Sequence, residues 1–213
     1  MKPIIDYASL TGTGNPLLVF CPLREAALDE FSRKSFEAAS LNGIIKGGRM
    51  SKGSLYHHFG DKFGLYLALM DFILHGKRKV NEAVAAGLEN STDLFEALRC
   101  LIGANTAFLL EDRRVACLHS RFLHEDAVFR QRVVQLLPRL PSYDLTAICE
   151  TSIDNGKVDP QYTPVFMLGV LNTLLNGFEQ LLPPGYASED VIAAVDQLQG
   201  LLRHGFAASQ IKD

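Results

Sequence analysis

Met50-Ser51-Lys52-Gly53-Ser54-Leu55-Tyr56-His57-His58-Phe59-Gly60-Asp61-Lys62 is the most informative stretch of this chain. It reads as a short helix opened by Ser51, whose hydroxyl can accept a backbone N–H of the first turn. Leu55 and Phe59 are four residues apart and share one face, enough to anchor the helix to a small core. Lys52, Ser54, Tyr56, His57 and Lys62 carry hydrogen-bond donors and fall largely on the other faces. A short helix that is apolar on one side and donor-rich on the other suits a DNA major groove. Gly53 adds to this: glycine inside a helix costs roughly 1 kcal/mol against alanine. Close approach of a phosphate backbone would account for it.

Upstream residues complete the unit. Leu23 to Lys34 places Leu23, Ala27, Leu28 and Phe31 at amphipathic helical spacing. Ser40 to Lys46 predicts a second short helix carrying Leu41, Ile44 and Ile45, and Gly47-Gly48-Arg49 predicts a turn. Helix, short helix, turn, donor-rich helix and the start of a long helix make a helix-turn-helix arrangement.

From Leu23 through Phe59 the chain resembles the DNA-binding domain of the TetR family of bacterial transcriptional regulators, without a gap. The resemblance rests on Ala26-Ala27-Leu28, Phe31, Phe36-Glu37-Ala38, Ser40, Ile44, Lys46, Ser51-Lys52-Gly53, Leu55-Tyr56-His57, Phe59 and Lys62, about 40 of the 213 residues. It implies a transcriptional regulator, a repressor in the first instance. Such a protein binds a palindromic operator in double-stranded DNA as a homodimer and is released by a small-molecule effector. The alternative is a helical ligand- or protein-binding dimer whose helix-turn-helix has lost tight DNA binding. Three departures keep that alternative open. The family usually has threonine at the place of Ala39, an acid at Gly43 and glycine at Arg49. Gly43 forgoes a carboxylate that could close a capping box. Arg49 stands where the turn commonly needs positive φ, unless Gly47 and Gly48 shift it by a residue.

Charge distribution agrees with contact to DNA at one end. The net charge is −3, yet Lys46 to Lys62 holds four basic side chains (Lys46, Arg49, Lys52, Lys62) against Asp61 alone. With 47% hydrophobic and 21% charged residues, a packed core is expected. No apolar run is long enough to span a membrane, and Leu17 to Cys21 is too short for a signal peptide, so a cytoplasmic protein is expected. Cys21, Cys100, Cys117 and Cys149 show no C-x-x-C spacing. They read as buried or half-buried thiols, with an oxidant-sensing cysteine as the lesser reading. His119 and His124 are five apart, where a metal pair on a helix needs three or four. No nucleophile triad, phosphate cradle or paired-acid motif stands out, so neither an enzyme nor a cofactor is expected.

The reading is all-α throughout. Residues 1–22 form an N-terminal arm, 23–68 the helix-turn-helix DNA-binding domain, and 69–213 a helical ligand-binding and dimerisation domain. Asp61 to Glu89 predicts one long helix capped by Asp61, with Gly76 marking a bend or a solvated segment. Helices follow over Thr92 to Glu111, Cys117 to Glu125 and Ala127 to Leu137. Pro138 and Pro141 interrupt, and Tyr143 to Asn155 resumes until Gly156. Thr163 to Leu182 and Glu189 to Ala208 are the last two. Their apolar residues Phe166, Val170, Leu174, Phe178, Ile192, Val195, Leu198 and Leu202 are the expected four-helix dimer interface. Phe108, Phe122, Tyr143, Phe166 and Asn172 are the expected effector pocket, large or polar side chains within apolar helices. In the donor-rich stretch Lys52 and Lys62 are the expected phosphate or groove contacts, the resemblance implies that Tyr56 and His57 bond the DNA backbone, Arg49 and Ser54 are assigned to base reading, and Ser51 and Gly53 complete the DNA-binding set.

Overall fold

A computed structural model describes residues 5–88, 93–138, 145–177, 181 and 188–206. Among them no strand occurs, and the all-α expectation holds. Among the described residues, ten α-helices follow three short 3-10 turns at the start of the chain. They are α1 (Cys21–Arg33), α2 (Leu41–Gly47), α3 (Lys52–Phe59), α4 (Lys62–Leu88), α5 (Leu94–Glu111), α6 (Arg113–His124), α7 (Ala127–Leu136), α8 (Thr146–Asp154), α9 (Pro164–Gly177) and α10 (Ser188–Phe206). α4 runs through Gly76 without a break. The interruption expected at Pro138 is present, since α7 ends at Leu136 and α8 begins at Thr146.

The chain divides into two compact units, Met1–Lys79 with Leu109–Leu140, and Val80–Phe108 with Pro141–Asp213. This geometric division differs in kind from the motif boundary at 68 and 69, because it groups α6 and α7 with the helix-turn-helix.

In the first unit α1 contributes Leu23, Ala27, Leu28 and Phe31 to the core, α2 Ile44, and α3 Leu55 and Phe59. Phe129 of α7 closes that core. Its ring lies 4.6 Å from Phe36 and 5.4 Å from Tyr66, which meets Phe31 edge-on at 5.0 Å. Edge-to-face aromatic pairs each add about 0.5–1.5 kcal/mol beyond the area they bury. α6 lies along α1 through polar contacts. The Arg114 guanidinium meets Glu25 at 2.7 Å, Asp29 at 2.9 Å and Asp112 at 2.6 Å. Arg121 donates to the Ser32 carbonyl at 2.7 Å, and Glu125 accepts the Phe36 N–H at 2.6 Å.

The segment before α1 packs on α4. Leu10 and Leu17 are buried. Buried Asn15 donates to the Ala68 carbonyl (2.7 Å) and to Asp71 (2.8 Å), which also accepts the Gly12 N–H (3.0 Å). These bonds satisfy a carboxylate that would otherwise be buried without donors. Asp61 caps α4 through the Gly64 N–H at 2.8 Å and accepts the Tyr7 hydroxyl at 2.8 Å.

The second unit has its own core. Leu94, Phe95, Leu98, Leu101 and Ile102 of α5 meet Cys149 of α8, Met167 and Leu171 of α9, and Val195, Leu198 and Leu202 of α10. The Ser152 hydroxyl accepts the Leu94 N–H at 3.0 Å, and Lys157 pairs with Asp93 at 3.1 Å. The cysteine expectation is corrected in part. Cys149 is buried and Cys100 half-buried, but Cys21 and Cys117 are exposed. Both sit on outward faces of amphipathic helices, which the linear spacing of cysteines does not register. Burial pushes the Cys149 thiol up to about 11.

Candidate nucleic-acid interface

The turn ahead of α3 is built by packing between α1 and α2. A Cβ at Gly48 would come within 2.6 Å of Leu23 Cδ1 and 2.7 Å of Leu23 Cα, so only glycine fits there. One at Gly47 would meet Ala26 Cβ at 3.1 Å. The two glycines therefore serve the close approach of the helices, and Gly48 keeps a negative φ of −79°. Positive φ falls on Arg49, at 53°. Two hydrogen bonds close this end, Arg49 N–H to the Lys46 carbonyl (3.4 Å) and Met50 N–H to the Ile45 carbonyl (3.2 Å). That pair defines a Schellman end with Arg49 in the left-handed position usually held by glycine. A side chain with a Cβ costs roughly 1–2 kcal/mol there.

α2 starts without the carboxylate that Gly43 lacks. Ser40 still accepts the Gly43 N–H at 3.1 Å. The reciprocal bond to the Ser40 N–H comes from Glu30 of α1, at 2.7 Å. A residue ten positions upstream thus completes the capping box that the local sequence leaves open. Glu30 also pairs with Lys34 at 2.7 Å. The Lys34 ammonium, and then the Ser40 N–H, hold its carboxyl below the ordinary range.

Ser51 caps α3 by accepting the Ser54 N–H at 3.0 Å. Gly60, at φ 75°, ends the helix with its N–H on the Tyr56 carbonyl. Leu55 and Phe59 are fully buried and fix the rotation of α3 about its axis. That rotation leaves Ser51, Lys52, Gly53, Tyr56 and His57 exposed and Ser54 half-buried, together with exposed Lys46 and Arg49 beside them. A Cβ at Gly53 would meet nothing within 4 Å, so no internal packing explains the glycine. Lys62 stands apart from this set. Its ammonium donates to the Glu37 carbonyl at 2.9 Å and lies 4.9 Å from the Phe36 ring centre, tying the start of α4 to the loop after α1.

The residues expected at the pocket fall in different parts of the chain. Phe122 lies on α6 of the first unit, whereas Phe108, half-buried on α5, lies in the second. Phe166 is 54% exposed and stacks on Tyr162. Tyr143 and the side chain of Asn172 fall outside the described residues.

The expected interface also divides. Val195, Leu198 and Leu202 belong to the core of their own chain, 4–7% exposed, and have no surface to offer a partner. They are the stripe of α10 turned toward α5 and α9. Outward-facing apolar side chains are Val165 and Phe166 of α9, and Ile192 and Leu201 of α10. Val170 and Leu174 are half-buried, and Phe178 lies outside the described residues. Val165 and Leu201 are outward-facing apolar residues that the sequence reading did not name.

Residues 23–69 match the model of the bacterial regulatory proteins of the tetR family. That segment is a TetR-family helix-turn-helix. It starts where the resemblance did and runs a little past it into α4. The HTH-type transcriptional repressor AcnR of Corynebacterium glutamicum is 24% identical over 179 residues, 84% of this chain and 89% of that repressor. Among solved structures, CprB from Streptomyces coelicolor in complex with its biological operator sequence is 20% identical. The likeness covers 91% of each chain with a TM-score of 0.62. FadR from Bacillus subtilis in complex with stearoyl-CoA is 16% identical, covering 87% of this chain and 98% of that one, again with a TM-score of 0.62. These likenesses carry the all-α fold beyond the TetR helix-turn-helix into the C-terminal helices. The family and these relatives are transcriptional regulators, not enzymes. No helix among the described residues is long and apolar enough to cross a membrane.

Proposed function

We propose that this TetR-family regulator is a repressor that binds a palindromic operator as a homodimer and releases it on binding a small molecule. The observation that carries the reading is the exposed face of α3. Five polar or glycine positions face outward there, and the open space at Gly53 leaves room for a phosphate backbone to approach the helix. Ser51, Lys52, Tyr56 and His57 hold the DNA backbone, and Gly53 lets it approach. Ser54 and Arg49 face base edges. Lys62 reaches phosphate with the ammonium hydrogens its Glu37 bond leaves over.

One chain presents one recognition helix, and a two-fold site needs two about 34 Å apart. The outward apolar residues Val165, Phe166, Ile192 and Leu201 supply the dimer contact of α9 and α10. AcnR is a repressor, and FadR, of the same fold, holds stearoyl-CoA. The second supports an effector taken among the C-terminal helices, with Phe108 in its wall. A regulator of this kind works in the cytoplasm, where the operator is.

Selection of bound sequences from random duplex DNA tests the reading. A recovered palindrome with half-sites one helical turn apart supports it. Recovery of no common sequence favours a helical dimer whose helix-turn-helix no longer binds DNA tightly. Release by an effector is tested by calorimetry on the free protein and on the operator complex. A coupling of about 3 kcal/mol, roughly 150-fold, weakens the effector by the same factor when operator is present.

A further inference from the structure

The Schellman end of α2 has a twin in the second unit. α8 closes with Gly156 N–H on the Ile153 carbonyl (2.9 Å) and Lys157 N–H on the Ser152 carbonyl (2.9 Å). Its left-handed residue is Gly156, at φ 69°. The same hydrogen-bond pattern at α2 places Arg49 in that role, the one non-glycine residue with positive φ among the described residues. Where the motif has only a structural task, this chain uses glycine. At α2 it accepts the strain of a side chain.

Nothing inside the protein rewards that side chain. Arg49 is exposed, and among the described residues no hydrogen bond, ion pair or aromatic ring engages its guanidinium. Nor can the strain move to a neighbour. Gly48 is held at negative φ and wedged on Leu23, and Met50 leads straight into the α3 cap at Ser51. The flanking bonds to Lys46 and Ile45 therefore fix the Arg49 Cα beside the N-terminus of α3. Strained backbone that the surroundings hold in place is a mark of positions kept for function.

We infer that Arg49 reads a guanine in each operator half-site and sets the base preference there. The inference rests on the DNA-binding reading above. A phosphate would not need this residue: exposed Lys46 and Lys52, three positions to either side, already bring positive charge without backbone strain. What a guanidinium adds is a rigid planar fork that bonds guanine O6 and N7 at once, a geometry that the point charge of lysine holds less firmly. The turn also gives that fork a fixed origin, so the recognised base pair occupies one defined place, at the edge met by the N-terminal end of α3.

The test uses the full-length protein and the operator obtained by selection. Wild type, Arg49→Gly and Arg49→Lys are titrated against that operator and against versions with each symmetric base pair replaced in turn. Wild type should lose roughly 5- to 150-fold when one particular guanine pair is replaced. Arg49→Gly should bind the two versions equally at that pair while keeping its preferences elsewhere, and Arg49→Lys should restore little of the discrimination. Melting of Arg49→Gly should rise by about 2–4 °C, since glycine adopts the turn freely. A uniform loss on all sequences with a salt slope lowered by about 1 would make Arg49 a phosphate contact and overturn the inference. Unchanged preference, or no rise in melting temperature, would overturn it as well. Failure of wild type to select any palindrome would instead remove the DNA-binding reading, and the inference with it.

Discussion

α3 and α10 both bury one apolar stripe and expose the rest, but what they expose differs. α3 buries Leu55 and Phe59 and shows serine, lysine, glycine, tyrosine and histidine. α10 buries Val195, Leu198 and Leu202 and still shows Ile192 and Leu201 on its outer flanks. Polarity alone settles which way α3 faces, because its donors could be buried only with partners. In α10 periodicity tells which residues share a face, not whether that face meets its own chain or another. The two helices thus show two surfaces of different chemistry, one polar and donor-rich and one apolar, which the proposed function assigns to DNA and to a copy of the chain.

The contrast within α10 gives the largest expected effect. Leu198→Asp places a carboxylate in the second core and should cost roughly 3–5 kcal/mol, read as loss of the cooperative melting transition followed by circular dichroism. Ile192→Asp with Leu201→Asp should leave the melting of the single chain within about 0.5 kcal/mol. It should nonetheless shift the proposed dimer to monomer in light scattering. Collapse of the fold in the outer-flank variant would erase the distinction between the two faces.

A smaller effect sharpens the account of the DNA-facing end. Glu30→Ala removes the acceptor that completes the α2 cap, and should destabilise the first unit by about 1 kcal/mol in urea unfolding. Equal midpoints for wild type and variant would mean that Ser40 alone caps α2. Smaller again is the acid response of the α1–α6 contact. The Arg114 guanidinium beside Asp112 holds its carboxyl below its ordinary 3.8. The unfolded chain therefore takes up that proton first. The resulting stability is fully present above about pH 4 and is lost as pH falls through the lower folded value. Asp112→Asn should flatten that part of an acid melting series, and an unaltered series would place the acid response elsewhere.

The helix-turn-helix was legible because its signals are local. Ser40 and Ser51 sit at caps, Leu55 and Phe59 are one turn apart, and Gly60 ends α3. What was illegible depends on distant partners. Glu30 closing the cap of α2, Phe129 filling the core beside Phe36, and Asn15 held by Asp71 each join residues that no window of sequence brings together. The division of α10 into core and outer flank was hidden for a related reason, since hydrophobicity is the same signal for a core and for an interface. The departure at Arg49 was visible, but its cause, Gly48 lodged against Leu23, was not.

Melting temperature and operator affinity, measured side by side on wild type and Gly53→Ala, bear most directly on the claim that α3 is shaped for DNA. Alanine fits the open space at that position and favours helix by about 1 kcal/mol. Melting should therefore rise by about 2–4 °C while operator affinity falls. A variant that is both more stable and an equal or tighter binder would show that nothing approaches Gly53, and would contradict the claim.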